Sequence, residues 1–95
     1  MVIVVLAVYQ ASAGRADEVA SELAAYAPIV RTEPGCVTFE VSRGIDDDHE
    51  FLLYEVYRDQ AALDAHRAAD HFTSIAVDRI RPMLAARRAT LFAPL

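Results

Sequence analysis

The stretch VIVVLAVYQA, residues 2–11, is an almost unbroken run of β-branched and aliphatic residues. Such a run predicts a β-strand that is covered on both faces, because a strand with one wet face alternates between apolar and polar residues. A second run, EFLLYEVY at residues 50–57, is again heavily apolar. The two stretches therefore predict the central strands of one sheet.

Between these strands lies a stretch with helical periodicity. From Arg15 onward the apolar residues fall on one stripe, namely Ala16, Val19, Ala20, Leu23, Tyr26, Ala27 and Val30. The helix is expected to end at Glu33-Pro34-Gly35, since proline cannot continue it and glycine turns the chain. Residues 36–43 then alternate between apolar and polar, which predicts a strand with one partly wet face.

After the second apolar strand the sequence predicts two helical pieces and a last strand. Asp59 is a good N-cap for a helix over residues 60–69, and Asp70 is expected to cap a second piece over residues 71–84. Two caps so close together predict short helices at an angle rather than one rod. RRATLFA, residues 87–93, closes the chain as a more polar strand.

The resulting order, β-α-β-β-α-β, predicts one α+β domain over residues 1–95 with a ferredoxin-like fold. Right-handed crossovers give a four-stranded antiparallel sheet in the order 4-1-3-2, with both helical segments on one face. Two helices cover only one face, yet strand 2–11 is apolar on both. The uncovered face is therefore expected to pack on a second copy, giving a homodimer of the α/β-barrel type.

Composition excludes several classes of function. The net charge of −5 argues against nucleic-acid binding, which needs a basic face. The first apolar run is too short to span a membrane and has no basic residue before it, so we expect a cytoplasmic protein. A single cysteine, Cys36, excludes an intrachain disulfide. With three glycines and no glycine-rich phosphate loop, no nucleotide or flavin is expected.

The segment HRAADHF, residues 66–72, holds the best candidates for a catalytic base. His66 would end one helical piece and His71 would begin the next, so both could reach a pocket at the joint. Histidine titrates nearest neutrality and suits this task. Five residues along a helix correspond to about 140° of rotation, so the rings should diverge unless the joint brings them back. We therefore expect no metal site.

Strand 50–57 contributes two further candidates, Tyr54 and Glu55. Neighbours on a strand face opposite ways, so only one of them can face the helices. Tyr54 would offer a hydroxyl to a developing oxyanion, whereas Glu55 would place a carboxylate in the pocket; the sequence leaves both orientations open. Aromatic side chains expected to line the pocket are Tyr26, Phe39, Phe51 and Phe72, and Arg67 is the one obvious phosphate ligand.

Four segments, EPGC (33–36), FLLYEVY (51–57), DQAALDAH (59–66) and DHF (70–72), occur in an order that resembles the antibiotic biosynthesis monooxygenase (ABM) family. The resemblance spans nearly the whole chain. It implies a dimeric ferredoxin-like domain with a pocket between sheet and helices in each subunit. The family includes cofactor-free quinol or anthrone monooxygenases, haem-degrading enzymes and an isomerase of a phosphorylated autoinducer.

The first hypothesis is a cofactor-independent monooxygenase that oxidises a quinol, anthrone or related polyphenol with dioxygen. Once deprotonated, such a substrate can itself donate an electron to oxygen, so the protein needs only a base, an oxyanion donor and a dry slot. His66 or His71 would be the base and Tyr54 the donor. The alternatives are an isomerase of a small phosphorylated hydroxy-ketone, with Arg67 on the phosphate, and a non-catalytic module that binds an aromatic ligand.

Overall fold

The computed structural model describes residues 1–95. Its elements are β1 (Ile3–Ala11), α1 (Ala16–Val30), β2 (Cys36–Arg43), β3 (Glu50–Tyr57), α2 (Gln60–Ala68), α3 (Phe72–Ile80) and β4 (Leu84–Phe92). Helix α3 is wound as a π-helix, and a short 3-10 turn, Arg81–Met83, follows it. None of the helices combines the length and apolarity that crossing a lipid bilayer requires.

The four strands form one antiparallel sheet in the order β2-β3-β1-β4. This is the predicted ferredoxin-like βαββαβ topology, with both helical segments on one face. The two most apolar strands, β1 and β3, are the central ones, as predicted. Strand β4 begins at Leu84, three residues earlier than predicted. Pro82 lacks an amide hydrogen, so α3 does not continue through it; the chain makes the 3-10 turn and becomes extended at Leu84.

The two faces of the sheet differ in burial. On the helix face Ile3, Val5, Ala7 and Tyr9 of β1 are buried, whereas the intervening residues on the other face are partly exposed. On β3 the same alternation leaves Leu52 and Tyr54 about two-fifths exposed, at 41% and 42%. The chain by itself therefore covers one face and leaves an apolar face open.

The core under the helices has two parts. The larger part packs α1 and α3 on the sheet around Val19, Leu23 and Ile80, and the predicted stripe of α1 is buried apart from Ala20, which is partly exposed. The smaller part lies under α2 and contains Tyr57 and Leu63. Side chains from both parts face each other across a narrow gap, and this gap holds the candidate site.

The joint between α2 and α3 is a sharp break at one residue. Asp59 caps α2 as predicted, accepting a hydrogen bond from the Ala62 amide at 2.8 Å. Ala69 then adopts an extended conformation, with φ −69° and ψ 145°, which separates the two helical pieces. The predicted cap by Asp70 is wrong, since His71 occupies the N-cap position of α3 and no side chain caps it.

Candidate functional site

One carboxylate joins the two histidines. Oxygen Oε2 of Glu33 lies 2.9 Å from Nδ1 of His66 and 2.5 Å from Nε2 of His71. His66 is buried, with 4% of its side chain exposed, and the Glu33 side chain is 14% exposed. The break at Ala69 therefore turns both imidazoles inward to the same acceptor.

The EPGC turn places Glu33 at this point. A Cβ on Gly35 would lie only 2.3 Å from Cβ of Ala62, so the turn can rest directly on α2 only because residue 35 has no side chain. The carbonyl of Gly35 also accepts a hydrogen bond from the Arg58 amide at 3.0 Å. Contacts with α2 and with the end of β3 thus hold the turn beneath His66.

The protonation state of His66 follows from its surroundings. Burial lowers its pKa, and the neighbouring Glu33 carboxylate opposes this only partly. A neutral His66 that donates from Nδ1 to Glu33 keeps Nε2 free as a proton acceptor. Nε2 lies 3.9 Å from Oε1 of Glu55. The Glu33–His66 pair is therefore an imidazole oriented by a carboxylate, with Nε2 left as its free acceptor.

Glu55 is the second titratable group at this position. Its side chain is 9% exposed, and it accepts a hydrogen bond of 2.6 Å from the Tyr57 hydroxyl. Burial raises the pKa of Glu55 to about 7, and it also raises the pKa of Tyr57. A carboxyl that titrates near neutrality can both give and take a proton under ordinary conditions. Glu55 and His66 form a potential acid–base pair.

A small cavity adjoins this pair. Its volume is about 60 Å³, and two-thirds of its 15 lining residues are apolar. Its floor is the helix face of the sheet, and its roof comes from α1, α2 and α3. The polar side chains on its wall include Glu55, His66 and three arginines, Arg67, Arg81 and Arg87. The site is thus a mostly apolar pocket whose polar side chains are one imidazole, one carboxyl group and three guanidinium groups.

Most of the residues predicted for the pocket wall lie there. Those that line the cavity are Tyr26, Phe39, Glu55, His66, Arg67 and Phe72. His71 contacts Glu33 but does not line the cavity. Phe51 is buried in the larger core and does not line it either.

Tyr54 requires a correction. The sequence left two orientations of β3 open, and the structure has the one in which Glu55 faces the helices. Tyr54 is therefore on the open face of the sheet, and the expectation that its hydroxyl reaches this pocket is wrong. Both faces of β3 are apolar enough to be buried, so local sequence alone could not distinguish them.

Four residues of the site were not predicted from the sequence, namely Glu33, Tyr57, Arg81 and Arg87. Glu33 was interpreted only as part of a helix-ending turn, although its place in EPGC was a usable signal. Tyr57 shares the side of β3 that carries Glu55, so it follows once the orientation is known. The two arginines lie beyond the matched motifs, and no local pattern marks them.

The histidines also bear on metal binding. We expected no metal site because the two imidazole rings should diverge along a helix. They do not diverge, so that reason does not hold. Ligand atoms of Glu33, His66 and His71 lie within 4.8 Å of one another. Tetrahedral zinc ligands at about 2.0–2.1 Å from the ion stand roughly 3.3 Å apart. The distances from Glu33 to the two imidazole nitrogens are shorter than this and are those of hydrogen bonds. As placed, the three side chains form a hydrogen-bonded set.

Fold and site together define a ferredoxin-like α+β domain with an acid–base pocket between its sheet and helices. Residues 1–77 match the family model described as antibiotic biosynthesis monooxygenase, and the chain belongs to this family. An uncharacterised protein of Synechocystis, sll1783, is 40% identical over 42 residues. That match covers 44% of this chain and 29% of the length of the relative.

Solved structures agree with this assignment. Rv0793 from Mycobacterium tuberculosis is 26% identical with a TM-score of 0.91, and the alignment covers 100% of this chain and 96% of that one. PA3566 from Pseudomonas aeruginosa has the same identity and TM-score, with 99% and 94% covered. A structure named antibiotic biosynthesis monooxygenase is 26% identical over 98% of both chains, with a TM-score of 0.90.

Proposed function

We propose that this protein is a cofactor-independent monooxygenase that oxidises a small quinol or related phenol with dioxygen. The observation that carries the proposal is the Glu33–His66 pair, buried beside a mostly apolar cavity, with Nε2 of His66 on the side of Glu55. We further propose that it acts as a cytoplasmic homodimer, since the open face of its sheet is apolar.

In the proposed reaction Nε2 of His66 takes the proton from a ring hydroxyl. Glu33 stabilises the imidazolium that forms, as an orienting carboxylate does in other base–carboxylate pairs. The phenolate gives one electron to dioxygen, and the resulting semiquinone and superoxide combine through a carbon–oxygen bond. The imidazolium of His66 returns its proton to the peroxide anion, which gives the hydroperoxide. The O–O bond then breaks as neutral His66 takes the proton from the ring carbon and protonated Glu55 gives its proton to the departing oxygen, so that a carbonyl forms and water leaves. The proton on His66 then passes to Glu55, and both groups return to their starting states. One quinol and one dioxygen thus yield one hydroxyquinone and one water.

The size of the cavity favours a single-ring substrate. Ligand pockets for drug-sized molecules typically enclose about 300–1,000 Å³, whereas this cavity encloses about 60 Å³. A single benzene ring requires less enlargement of this cavity than a tricyclic anthrone does. Within the class of quinols and anthrones, we therefore propose a monocyclic quinol.

The test is oxygen uptake by metal-free protein with a monocyclic hydroquinone. We expect His66→Ala to lower the enzymatic rate by about 100-fold or more, because general-base catalysis contributes about 10²–10⁴. His49→Ala is the matched control, since His49 lies in the acidic turn before β3 and does not line the cavity. An unchanged rate in the His66→Ala/His71→Ala double variant would reject the proposal.

A second candidate function is isomerisation of a small phosphorylated hydroxy-ketone. The observation that favours it is the presence of three arginines on the cavity wall, where the sequence had suggested only Arg67. His66 and Glu55 would then move a proton between adjacent carbons without consuming oxygen. Turnover under anaerobic conditions, with solvent deuterium entering the product, distinguishes this reaction from the oxygenation. Simple saturation without turnover would indicate a binding module instead.

A further inference from the structure

The arginines of this chain fall into two groups. Five of the nine form ion pairs with carboxylates, namely Arg15, Arg31, Arg43, Arg58 and Arg79. The four without a carboxylate within 4 Å are Arg67, Arg81, Arg87 and Arg88. Three of these four line the cavity, and Arg88 lies on the opposite face of β4. Three of the four arginines without an ion pair therefore lie at the candidate site, where burial raises the pKa of Glu55 and the charge of Arg67 lowers it in part.

Arg81 is the most constrained of the three. Its Nε is buried and has no hydrogen-bond partner. Its guanidinium carbon lies 5.3 Å from the centroid of the Phe72 ring, which supports the planar group from one side. Its backbone amide donates to the carbonyl of Ala76, five residues earlier, in the last turn of α3. A buried guanidinium donor without an acceptor is costly, so its position calls for a ligand oxygen.

A second orphan group shares this cavity. The Tyr26 hydroxyl, on α1, is also buried without a partner. A water molecule could accept from either donor, but it would bring no charge to balance the three guanidinium groups. Glu55 is the one carboxylate on the wall, yet it bonds to Tyr57 and lies within 4 Å of none of the three arginines. An anionic oxygen from outside the chain would accept from both buried donors and would lie beside the three guanidinium groups.

We propose that Arg67, Arg81 and Arg87 form a subsite for an anionic oxygen group on the substrate, a carboxylate or a phosphate ester. Nε of Arg81 and the Tyr26 hydroxyl donate to its oxygens, while Arg67 and Arg87, both exposed, surround it from the solvent side. The hydroxylated part of the substrate then lies towards His66 and Glu55. This inference deepens the proposed function by naming the substrate class, and it rests on that function for the reacting part only.

The subsite can be tested by calorimetry with ligands that lack an oxidisable hydroxyl. We expect benzoate or phenyl phosphate to bind at least about tenfold more tightly than the neutral isostere benzamide, since a charge-assisted hydrogen bond corresponds to about that factor. Which of the two anions binds more tightly identifies the group. If neither binds more tightly than benzamide, the subsite does not exist.

Variants locate the effect. Arg81→Gln should abolish the preference for the anion, while Arg79→Gln, at an exposed position two residues earlier in α3, should leave it unchanged. Arg87→Gln and Arg88→Gln form a second pair on neighbouring residues of β4, and only the first should weaken anion binding. Both positions are exposed, so this pair remains informative if Arg81→Gln fails to fold. A preference that survives both Arg81→Gln and Arg87→Gln overturns the proposal.

The two proposals fail in different ways. Selective binding of the anions without oxygen uptake by any quinol rejects the monooxygenase and leaves the subsite intact. Conversely, if 2,5-dihydroxybenzoate is turned over no better than hydroquinone and Arg81→Gln changes neither rate, the subsite is rejected and the monooxygenase stands.

Discussion

At the scale of single residues, the site depends on a carboxylate that serves two imidazoles. Glu33 accepts from His66 and from His71, so neither ring can rotate without breaking a charge-assisted hydrogen bond. This contact orients Nε2 of His66 and strengthens it as a base. His71 acts only through Glu33, because it contacts that carboxylate and does not line the cavity.

Replacement of Glu33 should therefore affect catalysis more than replacement of His71. We expect Glu33→Gln to lower the turnover rate by about 10²-fold or more, since the amide cannot stabilise the imidazolium. His71→Ala should cost less, since Glu33 keeps its bond to His66. The measurement is steady-state oxygen uptake with a monocyclic quinol. A His71→Ala rate below that of Glu33→Gln would contradict this order.

Glu55 should make stability depend on pH in an unusual direction. Its pKa in the folded protein is about 7, above its ordinary value of 4.5, so between these values the native state binds more protons than the unfolded state. Stability from this group is complete below pH 4.5 and is lost as the pH rises towards 7, by up to about 3 kcal/mol. His66 has the opposite effect on stability. Burial lowers its pKa, so the unfolded state binds more protons and the folded protein becomes less stable as the pH falls.

Glu55→Gln isolates this effect. The amide cannot ionise and its oxygen can still accept from Tyr57, so urea denaturation should find the variant more stable than the wild type at pH 8.5 and nearer to it at pH 5. The difference between the two proteins removes the contribution of His66. Parallel pH profiles for the two proteins would show that Glu55 does not titrate in this range.

At the scale of elements, the site exists because three connections meet. The EPGC turn packs against α2, the break at Ala69 changes the direction of the chain between α2 and α3, and Glu55 projects from β3 on the helix face of the sheet. Each connection is short and tightly packed, so the relative placement of the groups is set by backbone contact. Gly35 is the closest of these contacts.

Gly35→Ala should therefore disturb both stability and the site. The new Cβ would overlap Cβ of Ala62, and overpacking of this kind typically costs about 1–3 kcal/mol. The turn would move away from α2 and carry Glu33 with it, so activity should fall together with stability. The double variant Gly35→Ala/Ala62→Gly removes the overlap and should recover most of the activity, although glycine within α2 costs about 1 kcal/mol. No recovery would mean that the overlap is not the cause.

At the scale of the whole molecule, the open face of the sheet is the dominant unexplained surface. The apolar side chains along it include Val4, Leu6, Val8, Leu52, Tyr54 and Phe92. A contiguous apolar surface on one side of a small domain is typical of an interface. Homodimerisation through this face remains a prediction, as it was from the sequence.

Sedimentation provides the test. We expect the wild type to sediment as a dimer and Leu52→Glu to shift it towards monomer, because a buried unpaired carboxylate in an interface is costly. Ile29→Glu, a similar change at a 37% exposed position on the outside of α1, should leave the dimer intact. A wild-type mass that stays monomeric at every concentration would overturn the prediction.

Much of the fold could be read from local periodicity. The apolar runs at β1 and β3, the stripe of α1 and the Asp59 cap of α2 each depend on neighbours in sequence, and the topology rules then leave few ways to assemble them. The extent of β4 and the absence of a cap at Asp70 were missed, because both depend on how the chain leaves α3.

The sequence by itself therefore determined the order of elements, the sheet topology and three of the four aromatic residues predicted for the pocket wall, since alternation and helical spacing are properties of short segments. Only the tertiary structure decided that Glu55 rather than Tyr54 faces inward, and that Glu33 lies between two histidines more than thirty residues away. The physical reason is that a change of backbone conformation at one residue, such as Ala69, decides which distant element a side chain faces. Such changes leave little trace in composition or spacing, yet they bring a base, its carboxylate and a cluster of arginines to one cavity.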